Sequence, residues 1–211
     1  MLNQRRIIIE NVLPQLDNGA FFIKRIVGQK VTVTADIISD GHDLMEAVVQ
    51  FKYEKGKKWS EIRMNALPND TFEATFLVEK QGYYSYFVEA WIDYALNWQY
   101  GIGKKIKDTQ HVKSELLEGV EYIKPLLLKV SASDKKYLNK VIDLFSNEAN
   151  YDKAIIEAVS YKLKTIFKQN PAKFLANQTQ ELRVYVDRQK ALFSTWYEFF
   201  PRSASREEGK H

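Results

Sequence analysis

The sequence predicts an all-β sandwich followed by an α-helical bundle, and three observations carry that prediction. Between about Lys24 and Ile106 apolar and polar residues alternate with a period of two. From about Lys107 the apolar period lengthens to 3.6, and turn-forming clusters separate the early segments at short, regular intervals. Successive side chains of a strand point to opposite faces, so an alternating strand has one apolar face that must be buried against a second layer.

The strands follow in order. In "VTVTADI" Val31, Val33, Ala35 and Ile37 share one face; in "AVVQFKY" Ala47, Val49, Phe51 and Tyr53 do so; in "TFEATFLV" it is Phe72, Ala74, Phe76 and Val78. "GYYSYFVEAWID" is longer and apolar on both faces, which predicts a central strand. Between them stand "SDGHD", "EKGKK", "LPND" and "KQG", whose Gly, Pro, Asn and Asp residues suit tight turns. Six or seven short strands at this spacing, with no helical pattern between them, read as an antiparallel sandwich of immunoglobulin-like type over residues 1–106.

The helical period starts where the strands stop. Leu116, Leu117, Val120, Ile123 and Leu127 form one stripe, Tyr137, Leu138, Val141, Ile142 and Phe145 a second, and Ile155, Val159, Leu163 and Ile166 a third. Ser133 and Asn150 stand where their side-chain oxygens suit helix N-caps. Three short helices joined by tight links predict a small antiparallel bundle over 107–190.

The last segment, 191–211, holds the densest aromatic run, "FSTWYEFFPRS". As a strand it places Trp196, Glu198 and Phe200 on one face and Tyr197 and Phe199 on the other, the pattern of a strand covered on both sides; Pro201, lacking an N–H, ends it.

Composition narrows the function classes. The chain has 211 residues and no cysteine, which excludes disulfide frameworks, thiolate metal sites and cysteine nucleophiles. After Arg5 and Arg6 only Ile7–Ile9 form an unbroken apolar run, shorter than a signal-peptide core, and no run approaches a membrane span; a cytoplasmic protein with no membrane partner is expected. The net charge of +4 comes entirely from residues 107–211, where 18 Lys/Arg face 14 Asp/Glu, while residues 1–106 carry 13 of each. Acids and bases are mixed along "KDTQHVKSELLEGVEYIKP", the pattern of solvated helix faces, so no nucleic-acid partner is expected.

Convergent catalytic groups are scarce. His42 lies between Asp40 and Asp43, a combination able to bind metal or act as a base, but its Gly-centred loop uses such residues for turn hydrogen bonds, and no metal site is assigned. "YGIGKK" lacks the spacing and the Ser/Thr of a phosphate-binding loop, and no other cofactor motif occurs. Aromatic faces can stack on sugar rings, which makes Trp59, Trp91 and Trp98 candidate carbohydrate-binding residues.

Three stretches carry a family resemblance. "IIIENVLPQLDNGAFFIKRIVGQKVTVTADIISDGHD", "NDTFEATFLVEKQGYYSYFVEAWIDYALNW" and "DRQKALFSTWYEFFPRS" resemble the N-terminal region of the bacterial α-1,4-glucan:maltose-1-phosphate maltosyltransferases, enzymes similar to α-amylases. The most specific parts are Gly41-His42-Asp43, Val88-Glu89-Ala90-Trp91 and Trp196 to Ser203. The resemblance implies a β-sandwich with a helical extension preceding a (β/α)₈ catalytic barrel, into which the aromatic run leads as the first strand. Trp196, Tyr197, Phe199, Phe200 and Arg202 are then a barrel-docking segment. The parent enzyme would move maltose from maltose 1-phosphate to the non-reducing end of an α-glucan by a retaining mechanism. Its carboxylates lie on the barrel, so no catalytic residue and no cofactor is assigned here.

The expected role is packing against that barrel and supporting a homodimer. The alternatives are an α-glucan-binding module and a stand-alone interaction protein. Without barrel neighbours the aromatic run is expected to dock on the sandwich or bundle, to pair with another copy, or to be poorly ordered. Burial at about 1.5–3 kcal/mol per aromatic side chain favours docking.

Overall fold

The computed structural model describes residues 6–41, 43–173, 176–193, 196–200, 204–207 and 209–210. The strands are β1 (Ile7–Leu13), β2 (Ile23–Ile26), β3 (Lys30–Ser39), β4 (Met45–Tyr53), β5 (Ser60–Arg63), β6 (Asn65–Ala66), β7 (Thr71–Leu77) and β8 (Gly82–Ile92). Five helices follow: α1 (Tyr94–Lys107), α2 (Lys113–Ile123), α3 (Ala132–Ser146), α4 (Tyr151–Ala158) and α5 (Tyr161–Gln169). The chain then returns to β structure in β9 (Asn177–Gln178) and β10 (Leu182–Asp187). The fold is mixed α+β, with two sheets and five helices among the described residues.

The first sheet has the order β1-β3-β7-β6 and is antiparallel throughout. The second runs β2-β10-β8-β4-β5, with β9 also on β8. Its β2–β10 pair is parallel, the other pairs antiparallel. β8 is central, as its two apolar faces predict: β4 takes one edge from Met45↔Ile92 to Tyr53↔Tyr84, and β9 and β10 share the other.

One core joins the sheets. Val31, Val33, Ala35 and Ile37 of β3 and Phe72, Ala74 and Phe76 of β7 meet Ala47 and Val49 of β4, Tyr84, Tyr86, Val88 and Ala90 of β8, and Leu182, Val184 and Val186 of β10. Phe51 and Phe76 stack across the gap with ring centroids 4.5 Å apart. The alternating faces read from the sequence are thus the buried ones, although Phe51 and Tyr53 are only half-buried.

Two expectations are corrected. The change of period falls at Asp93 rather than near Lys107: α1 begins at Tyr94, capped by the Asp93 side chain, which accepts from the Leu96 N–H. Tyr94 and Tyr100 mask the helical spacing of Leu96, Trp98, Gln99 and Ile102, the residues that face inward. The second correction is β10, which sequence reading left in the helical segment. Its side chains alternate strictly, Leu182, Val184 and Val186 inward. The helices are therefore inserted between two strands of one sheet.

The helices have their own core. Leu96, Trp98 and Ile102 of α1 pack with Leu116, Val120 and Ile123 of α2, Leu138, Val141 and Phe145 of α3, and Leu163, Ile166 and Phe167 of α5. The third stripe is split, because Ser160 caps a new helix by accepting from the Leu163 N–H. Val159 consequently lies exposed, and Leu117 of the first stripe also faces outward. Ser131, not Ser133, caps α3, while Asn150 precedes α4 without a side-chain cap bond.

Candidate docking and binding surfaces

The three tryptophans read as sugar platforms are placed apart. Trp59 precedes β5, half-buried, its ring edge-on to Phe87 at 4.9 Å with Lys52 Nζ 4.7 Å from its centroid. Trp91 lies on the same outer face of the second sheet, opposite Glu46 of β4, and is fully buried. Arg63 and Lys173 cover it, the guanidinium carbon 5.9 Å and the ammonium nitrogen 4.8 Å from the ring centroid. Trp98 lies in the helical core, where its Nε1–H donates to the Glu115 carbonyl at 2.6 Å. Stacking on a sugar needs an open ring face, and of the three Trp59 retains the most.

Around Trp91 charged groups join the sheet to the helices. Lys173 Nζ bridges Glu61 at 2.6 Å and Glu89 at 2.7 Å, and Gln50 donates to the same Glu61 oxygen. Arg63 meets Glu46 at 2.6 Å and donates its other arm to the Lys168 carbonyl at the end of α5. Burial opposes the charge of Lys173, but its two glutamates outweigh that and raise its pKa. Burial raises Glu46 despite Arg63, and raises Asp93 despite its hydrogen bond from Leu96. Each of these carboxylates has a structural partner, so the cluster reads as a joint between layers and explains why the helices sit where they do.

The Gly41–Asp43 loop is pinned rather than poised. Arg6 donates to Asp40 at 2.9 Å, to Asp43 at 3.1 Å and to the Tyr94 hydroxyl at 3.3 Å. The carboxylates flanking His42 are therefore held by a guanidinium; His42 itself lies outside the described residues.

The aromatic run is open. After β10 a 3₁₀ turn over Gln189–Leu192 leads to Phe193, and Trp196–Phe200 form no strand. Trp196 is 91% exposed, Tyr197 89%, Phe199 68% and Phe200 73%. Docking onto the sandwich or bundle, the favoured expectation, is not found among the described residues. The ladder position beside the central strand β8 is taken by β10. Arg202, the last member of the expected docking segment, lies outside the described residues. So large a contiguous aromatic surface marks a contact segment.

These features define a two-sheet α+β module with an inserted helical region and an open aromatic segment. Residues 5–188 match the family model described as α-1,4-glucan:maltose-1-phosphate maltosyltransferase, domain N/S, and the chain belongs to that family. Among its relatives are the α-1,4-glucan:maltose-1-phosphate maltosyltransferases of Chlorobaculum tepidum, 35% identical over 99% of this chain, and of Myxococcus xanthus, 33% identical over 97%. That of Methylacidiphilum infernorum is 32% identical over 99%. The matches take in 31%, 32% and 31% of those proteins, so the chain spans about a third of the length of the curated relatives it matches.

Proposed function

We propose that this chain is the non-catalytic N-terminal region of a maltosyltransferase that transfers maltose from maltose 1-phosphate to the non-reducing end of an α-1,4-glucan. Its two sheets are read as an immunoglobulin-like sandwich, its five helices as a bundle inserted into that sandwich, and residues 191–211 as the lead-in to a (β/α)₈ catalytic barrel. The module packs against the barrel and supports a cytoplasmic homodimer. No catalytic group is assigned to it.

The observation that carries the reading is the open aromatic run. The match to the family model ends at Arg188, the run follows within a dozen residues, and Trp196, Tyr197, Phe199 and Phe200 remain uncovered in a chain that spans about a third of the length of its relatives. Burying four such side chains contributes about 1.5–3 kcal/mol each, enough to fix one domain on another. The test is Trp196→Ser with Phe200→Ser in the full-length polypeptide and in the 211-residue chain. The full-length protein should lose maltosyl transfer and melt at lower temperature, while the shorter chain melts unchanged. Equal behaviour of both pairs counts against docking.

A second reading, an α-glucan-binding module, draws on Trp59 with Phe87 on the outer sheet face. It predicts saturable heat when maltoheptaose is titrated into the 211-residue chain; the packing reading predicts none.

A further inference from the structure

One end of the outer face of the second sheet carries three aromatic rings that belong to neither core. Strand alternation turns Tyr83 of β8 and Tyr185 of β10 away from the sandwich, since their neighbours Tyr84 and Val184 point inward, and Phe22 stands beside them just before β2. The rings close into a cluster, with centroids 5.0 Å apart for Tyr83 and Tyr185, 5.5 Å for Phe22 and Tyr83 and 5.8 Å for Phe22 and Tyr185. All three are half-buried and lie outside both cores, whereas at the other end of the same face Arg63 and Lys173 close over Trp91. The wet face of an antiparallel sheet is ordinarily polar, and aromatic residues gathered with arginine are the composition of an interface centre.

The charge around the cluster has one sign. Arg183 holds its guanidinium carbon 4.5 Å from the Tyr83 centroid, Lys24 pairs with Tyr185 across β2 and β10, and only Ser85 separates Lys52 from Arg183 along the row. Among the described residues none of these three cations forms a salt bridge. The location is equally specific. β10 ends at Asp187, whose carbonyl accepts from the Val27 N–H at 3.0 Å, and Trp196 follows Asp187 by nine residues, an extended span of about 30 Å at most. A domain that covers Trp196–Phe200 therefore lies beside the β2–β10 edge, where the cluster faces out.

We propose that this cluster is the face of the module on which the catalytic domain of the same polypeptide docks, through an apolar patch rimmed by carboxylates that pair with Arg183, Lys24 and Lys52. The proposal rests on the reading above that such a domain follows, and it names the face that domain covers. The rings and the Trp196–Phe200 run then belong to one continuous interface on either side of the Gln189–Leu192 turn. A polyanion would meet the cations but leave the rings wet, and an apolar partner without carboxylates would leave the cations unmet.

The experiment is hydroxyl-radical footprinting of the full-length polypeptide and of the 211-residue chain, each over a dilution series, reading Phe22, Tyr83 and Tyr185 together with Trp196. The three rings should oxidise in the shorter chain and be protected about threefold or more in the full-length protein at every concentration. Protection of Trp196 without protection of the three rings would overturn this face and leave the packing reading standing, while protection of neither would remove both. Protection that falls away on dilution would assign the face to a second copy and likewise overturn the proposal. Arg183→Glu with Lys24→Glu changes exposed side chains and should leave the melting temperature of the shorter chain unchanged. In the full-length protein it should lower the protection of Tyr83 and Tyr185 by about half or more, and unchanged protection would overturn the carboxylate-rimmed partner.

Discussion

Gly119→Ala should destabilise the protein although it places a better helix former in α2. A β-carbon at Gly119 would lie 2.2 Å from Trp98 Cζ2, 2.7 Å from Cη2 and 2.8 Å from Cε2. Carbon–carbon contacts are normal at about 3.5–4 Å, so one partner must move by about 1 Å or more. The indole cannot easily give way: its Nε1–H is bonded to the Glu115 carbonyl, and Phe145 and Phe167 stand 5.9 and 6.2 Å from it by ring centroids. Overpacking of this kind costs about 1–3 kcal/mol, while alanine gains about 1 kcal/mol over glycine in a helix. With an overlap this deep the upper end of that cost applies, so the net loss is about 2 kcal/mol, or a melting temperature lower by about 4–8 °C for a chain of this size. Gly101→Ala in α1 is the control, because nothing lies within 4 Å of its β-carbon; it should gain roughly 0.5–1 kcal/mol. Urea titration of both variants measures the two effects. A Gly119→Ala protein as stable as the parent would refute the packing account of Trp98.

Three other outcomes are expected. Burial raises the Asp93 pKa above its ordinary 3.8, so the folded state holds that proton more tightly and the contribution to stability falls as pH rises from about 3.8 through the folded value. Asp93→Asn keeps an acceptor for the Leu96 N–H, so its stability relative to the parent should increase with pH over that window; parallel curves in urea titrations at several pH values would contradict this. Lys173→Met should cost about 1–2 kcal/mol by leaving Glu61 and Glu89 facing each other above buried Trp91, and an unchanged urea midpoint would remove the joint from the account. The 211-residue chain should release no phosphate from maltose 1-phosphate above a heat-denatured control, and release that copurifies with the chain would contradict the non-catalytic reading.

Lys30–Ser39 and Thr71–Leu77 were legible as strands because one face of each is buried and the other wet, so period two and burial coincide. α1 was misread because its lysines, Lys104, Lys105 and Lys107, stand only in its last turns, so the first half, with Tyr94, Trp98 and Tyr100, shows no charged stripe at the 3.6 period. β10 was legible in principle: "LRVYVD" alternates, but six residues after a helical stretch make a weak local signal, and its partners β2 and β8 are distant in sequence. Candidate-site residues were less accessible. An aromatic side chain says nothing of its own exposure, so Trp59, Trp91 and Trp98 could not be ranked without the packing.

The central claim, that residues 196–200 form a docking surface for a catalytic domain, is tested most directly by hydroxyl-radical footprinting. The rates of oxidation of Trp196, Tyr197, Phe199 and Phe200 are compared between the 211-residue chain and the full-length polypeptide. In the shorter chain Trp196 is 91% exposed and should oxidise about as fast as a free tryptophan, while in the full-length protein all four residues should be protected by about tenfold or more. Equal oxidation rates in the two proteins would contradict the account.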